Sequence, residues 1–255
     1  GQKLTSFQTA RATATSAAGG ALKGKTGSNA HAGIKPKVTA TLGKKNTLDI
    51  QDEFHIHALP HVSGFSDANG LSGGLLAEGA TRATTKVDTT TTTQLAENSN
   101  ISAVNGDVDI TASSNQRLWS EATAGSGGGV TGEAALAETD SDAQTTTSIR
   151  DGNRIYAGNI TLHGKNIVLF DGYADSTNAS VIGGSGADLT HASDATAAVN
   201  IGDDSVNNST IADVFLSVFD DAMDIDAKNA ITRYSFLILP DSEGTTECNS
   251  GGSVG

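Results

Sequence analysis

Three histidines stand close together in the run HIHALPH, at His55, His57 and His61. Two histidines separated by one residue on a β-strand project to the same face, and imidazole nitrogens suit zinc. The spacing predicts a metal site built on His55 and His57, with His61, just past Pro60, as a third ligand. The competing account is a strand that buries Phe54 and Ile56 and leaves two histidines on its wet face.

A second stretch with chemical potential is GGSGADLTH at 183–191. Gly183, Gly184, Gly186, Asp188 and Leu189 fit the calcium-binding nonapeptide of RTX-like coils, with Asp188 as the carboxylate ligand. One copy supplies only part of such a coordination shell. Calcium is therefore the one cofactor considered, and none is required. The acidic run FDDAMDID at 219–226 lacks the glycine and terminal glutamate of an EF-hand loop and reads as a solvated face. There is no G-x-S-x-G elbow, and no constellation of carboxylates with Arg or Lys of the kind a pectate-lyase-like enzyme would need. No catalytic residue is assigned, and the chain reads as a non-enzyme.

The elements that must hold these residues are unusual. Of 255 residues 36% are hydrophobic and 4% aromatic, while 30 are glycine. Too few large side chains are present for a broad globular core, but Ile, Leu and Val recur at regular intervals, so a thin core drawn out along an axis is expected. The net charge of −13 is uneven: residues 1–50 hold eight Lys/Arg and one acid, Asp49. So acidic a remainder excludes nucleic acid as the main partner. The one cysteine, Cys248, cannot form an internal disulfide. No run of about 18 apolar residues is present, so no transmembrane helix is predicted.

Double glycines recur. The second glycine of each pair is Gly20, Gly74, Gly129 and Gly184, separated by 54, 55 and 55 residues. Leu42, Leu95, Ile149 and Ile201 close the polar tracts that follow. Leu48, Ile101 and Ile155 come next, and Ile56, Ile110 and Leu162 match across alternating strands. His163 falls at the position of His57 two units later. A unit of about 54 residues made of strands and turns cannot bury its apolar side alone, but it can when stacked on its neighbours. Two or three coils per unit, of roughly 18–27 residues each, would fit the common repeat lengths.

NGDVDITASS, followed by a Gly/Ala/Ser-rich stretch and a TTT…I..G..I closure, resembles filamentous-haemagglutinin-like adhesins, including the leukotoxin-type filamentous adhesins. The resemblance spans roughly residues 5–211. It implies a right-handed parallel β-helix displayed outside a bacterial cell, and it carries over no catalytic residue.

The expected architecture is thus an all-β, right-handed parallel β-helix, or β-solenoid. It has about four degenerate units over 1–210, a cap or interface element over 211–240 and a flexible tail over 241–255. Residues 211–228 read as an amphipathic helix and 232–240 as a strand. The expected function is structural and adhesive, as a segment or subunit of a bacterial surface filament. Expected partners are a second copy, docked head to tail through the basic first unit, or a cell-surface glycan. The alternatives are a glycan-binding or glycan-cleaving β-helix and a calcium-stabilised RTX-like module.

Overall fold

The computed structural model describes residues 2–202, 214–219, 222–233 and 248–251. Every regular element among them is a strand, and every pairing is parallel. The first coil is divided into β1 (Gln2–Gly19), β2 (Lys23–Ile34), β3 (Lys37–Leu42) and β4 (Thr47–Asp49). Each later coil opens with one very long strand: β5 (Phe54–Leu95), β7 (Val108–Ile149) or β9 (Ile160–Ile201). Short strands β6 (Asn100–Ala103), β8 (Arg154–Ala157) and β10 (Phe215–Val218) follow them, and β11 (Met223–Arg233) and β12 (Cys248–Gly251) complete the set. The long strands stack in the order β1-β5-β7-β9-β11, and the short ones as β10-β8-β6-β4. The chain is a parallel β-helix.

Each long strand is a folded arch, as its burial pattern shows. In β5 the even-numbered residues from Phe54 to Ser72 point inward, whereas beyond the bend the odd-numbered residues from Ala77 to Leu95 do. The phase flips once, at Gly73–Leu76, where the strand doubles back on itself. Hydrogen bonds then cross between the two arms: Ser66 to Thr85 at 2.7 Å, Thr89 to Ser114 at 2.8 Å, and Ser120 to the Glu138 carbonyl at 2.6 Å. An arm of twenty residues at about 3.3 Å per residue is roughly 65 Å long, and parallel coils stack about 4.8 Å apart. The solenoid is therefore a flat blade, with the short sheet of β4, β6, β8 and β10 closing its base.

This geometry explains the composition. The arms spread only at the base, where the short sheet holds them apart, and the large aliphatics collect there: Ile56, Leu95, Ile101, Ile110, Ile149, Ile155 and Leu162. A middle cluster contains Val62, Val87, Leu118 and Phe170, and the cluster nearest the tip is almost all alanine. Hydrogen-bonded polar layers lie between them. Gln116, fully buried, donates to Thr89 at 2.7 Å and to the Asp142 carbonyl at 3.2 Å, and accepts from Ser141 at 2.6 Å. Small and hydroxylic residues let two sheets approach closely, and hydroxyls such as those of Ser66, Thr85 and Ser120 hydrogen-bond across the gap.

The repeat landmarks share register as expected. Leu42, Leu95, Ile149 and Ile201 form one column, Leu48, Ile101 and Ile155 another, and Ile56, Ile110 and Leu162 a third. The sequence left the number of coils per unit open; each unit is a single coil, because one arch consumes 42 residues. Two expectations need correction. The glycine pairs keep step less well than their spacing implied. Gly74 faces Gly128, not Gly129, and Gly184 faces Gly132, beyond the bend on the return arm. Phe54 pairs with Val108, 54 residues on, but Val108 pairs with Ile160, only 52 on, because the corner between β8 and β9 is two residues shorter than that between β6 and β7. The bend of the fourth coil is consequently Ala179–Ile182, with no glycine. Finally, among the described residues of 211–228, where the sequence predicts a helix, there is none. β10 and β11 extend the two sheets as a further partial layer, pairing with β8 and β9. The alternation of Met223, Ile225 and Ala227 has the period of a strand, and stacking on a ready-made parallel edge decides the outcome. Within the expected tail, β12 pairs with Leu189–Ala192 of β9, and the rest of 241–255 lies outside the described residues.

Candidate metal centre

The outward arm of β5 begins at the base with Phe54, Ile56 and Ala58 buried, so His55 and His57 project from the outer face, both partly covered. The next coil brings Asp109 into register with His55. His57 Nε2 lies 2.8 Å from Asp109 Oδ2, and His55 Nδ1 lies 3.8 Å from the same oxygen. His55, His57 and Asp109 each offer a ligand atom, and all three atoms fall within 4.8 Å of one another.

The surroundings orient these atoms. Glu53 Oε2 sits 2.8 Å from His55 Nε2. The Thr111 hydroxyl donates to Asp109 Oδ1 at 2.5 Å. His55 Nδ1 is buried and has no hydrogen-bond partner. Among the described residues this is the one group of three or more His, Cys, Asp or Glu side chains so disposed.

His61 does not join it. Two further alternations along the arm place it against Phe7 of the first coil, ring centroids 4.9 Å apart and nearly parallel. Asp188 lies exposed on β9 facing Leu136, outside any such cluster among the described residues. Gly183, Gly184 and Gly186 run in extended strand there rather than in the turn that a calcium nonapeptide requires. Gly20, Gly74 and Gly129 lie at or beside the bend, on the edge of the blade opposite the base; Gly184 lies past it.

Sequence reasoning reached His55 and His57 and missed Asp109. Aligning FHIHAL with VDITAS already pairs His55 with Asp109, but the pairing carries chemical meaning only once adjacent units are known to be adjacent coils. His163 shows the same motif again: its Nε2 lies 2.9 Å from Asp224 of the coil above, while Thr161 stands where His55 would be.

Two other surface features have ligand-sized dimensions. Phe65 and Trp119 share a register column on the outer face of the outward arm, both half-buried, near the Phe7–His61 stack. A groove of about 490 Å³ is lined by Thr92, Gln94, Thr146, Ser148, Arg150 and Asn200, with Val199, Ile201 and Gly202. Cations of one coil also meet acids of the next: Lys35 with Asp88 at 2.7 Å, Lys44 with Glu97 and Lys86 with Asp140 at 2.5 Å, and Arg82 with Glu138 at 2.6 Å. In comparisons with family models, with curated proteins and with solved structures, the chain matches none.

Proposed function

We propose that the chain is a structural and adhesive segment of an extracellular bacterial surface filament, extended by head-to-tail stacking of β-helical blades. One observation carries this reading: the first three coils are joined by cation-to-acid contacts that run from each coil to the next, from Lys35 and Lys44 of the first to Asp88 and Glu97 of the second and from Arg82 and Lys86 of the second to Glu138 and Asp140 of the third. The first coil is rich in lysine, and among the described residues its strands pair only with the coil above. Return-arm residues of the fourth coil present Asp188 and Asp194. β10, β11 and β12 form a partial layer at this end, so a second copy docks on and beside that layer; Asp194, which lies beyond the stretch β12 covers and continues the Asp88 column, is the acid its lysines would meet. An open-ended contact between unlike surfaces of identical chains generates a fibre.

Negative-stain microscopy and light scattering across a salt series test this. Blades stacked end to end are expected at low ionic strength, shortening above roughly 0.15 M salt as screening sets in. A strict monomer, or a polymer indifferent to salt, overturns the reading. Protease shaving of intact cells tests the location.

A second reading, glycan binding, is favoured by the Phe65–Trp119 column, since aromatic faces stack on sugar rings. It predicts glycan-array signals that Trp119→Ala abolishes. Calcium stabilisation rests on Asp188 alone, and melting with and without chelator decides it.

A further inference from the structure

We propose that His55, His57 and Asp109 bind one divalent transition-metal ion of the zinc type, clasping the second coil to the third. The inference is independent of the filament reading above.

Several separate features support it. The donor set is two imidazoles and one carboxylate, which favours zinc, copper or nickel over calcium or magnesium. A tetrahedral ion with bonds of about 2.0–2.1 Å holds its ligand atoms roughly 3.3 Å apart. The distances from Asp109 Oδ2, 2.8 Å to His57 Nε2 and 3.8 Å to His55 Nδ1, lie either side of that value. Small side-chain rotations bring all three atoms to it.

His55 supplies the strongest indication. Its Nδ1 is buried, unpartnered and directed toward Asp109, whereas its Nε2 is engaged by Glu53. A carboxylate on the far nitrogen fixes the tautomer that leaves the near nitrogen's lone pair free, and this is the usual arrangement behind a metal-bound histidine. Thr111 holds the second oxygen of Asp109 in the same way. Without metal, His57 Nε2 faces Asp109 Oδ2 at 2.8 Å. To bind the ion at Nε2, the neutral imidazole carries its one hydrogen on Nδ1 instead, and the remaining coordination position is left to water.

The site also contains its own control. His163 and Asp224 reproduce the His57–Asp109 contact two coils further on, but Thr161 replaces the histidine. One ion per chain is therefore expected, not two.

The test is calorimetric titration of the chelator-treated full chain with Zn²⁺, with stoichiometry checked by equilibrium dialysis. One site per chain is expected. His55→Gln, His57→Gln and Asp109→Asn should each weaken it tenfold or more, whereas His61→Gln and His163→Gln should leave it unchanged. Metal-free melting of each variant separates lost binding from lost folding, and His55 and His57 lie on the outer face, where glutamine is accommodated. Zn²⁺ should raise the melting temperature of the native chain but not that of Asp109→Asn. Absence of saturable binding, or binding that survives all three substitutions, overturns the proposal.

Discussion

Lys35 lies 2.7 Å from Asp88 in the coil above it, and the column that holds Asp88 continues through Asp142 and Asp194. One lysine thus heads a row of three aspartates. Like charges directly opposite across a ladder destabilise a sheet, while unlike charges support it. Asp88 also has Lys86 at 3.7 Å, whereas among the described residues Asp142 has the amide of Gln144 at 3.5 Å and feels Lys86 only at longer range. Asp142→Asn should therefore stabilise the protein by about 0.5 kcal/mol at low ionic strength, and Asp88→Asn should destabilise it by a similar amount. Urea denaturation at low salt and at 1 M salt checks both. The two effects should have opposite signs and shrink together as salt rises.

The sequence showed where the coils begin and end because the base carries the large aliphatics. Leu42, Leu95 and Ile149 recur at the pitch, as do Leu48, Ile101 and Ile155, and they have few competitors in so bland a chain. The arch itself was hidden. Its signature is a single change of inward parity near Gly74, and in arms filled by Ala, Ser and Thr inward and outward residues are chemically alike. Gly184 misled for a related reason: glycine is common throughout, so a pair 55 residues on imitated a bend that the structure places at Ala179–Ile182. Two of the three candidate ligands could be read, because His55 and His57 are neighbours in the chain. Asp109 is a neighbour only through stacking.

The bend glycines should differ sharply in tolerance. A Cβ on Gly128 would be driven into the Gly74 carbonyl oxygen of the coil below. Gly74 has φ +151, and a Cβ there would lie 2.6 Å from the Gly20 carbonyl oxygen. A Cβ on Gly184 meets nothing within 4 Å. Gly74→Ala and Gly128→Ala should each cost about 2 kcal/mol or more, because backbone rather than a mobile side chain must give way. Gly184→Ala should be neutral or stabilising by up to about 0.5 kcal/mol, since alanine loses less chain entropy than glycine. Melting temperatures of the three variants decide this, and equal losses in all three would contradict the register.

Gln116 tests whether the polar layers hold the arms together or merely fill space. It is as completely buried as Leu118, two residues along. Gln116→Ala leaves a cavity and removes partners from Ser141, Thr89 and the Asp142 carbonyl. A loss of about 3 kcal/mol is expected, comparable to Leu118→Ala. Gln116→Leu restores the volume but not the hydrogen bonds, and should still cost about 1–3 kcal/mol. If the leucine variant matches the native protein in urea, the polar layer is only filler.

Acid sensitivity should centre on His191. Its ring stacks on Phe170, centroids 3.4 Å apart and planes nearly parallel, and Nδ1 lies 2.7 Å from the Thr139 hydroxyl. Nε2 is buried without a partner. Burial lowers its pKa from 6.5 to about 4, outweighing the opposing pull of Asp140 and the Thr139 contact. The unfolded chain therefore takes up a proton near pH 6.5 that the folded chain refuses until about pH 4. Stability from this group is complete above pH 6.5, falls as the pH drops from 6.5 to 4, and is then lost, a change on the order of 3 kcal/mol. His191→Leu should flatten that part of the stability–pH curve relative to the native chain while leaving the carboxylate-driven loss at lower pH in place. Urea midpoints at pH 7, 5.5 and 4.5 provide the comparison, and parallel curves for the two proteins would show that His191 is already solvated in the folded state.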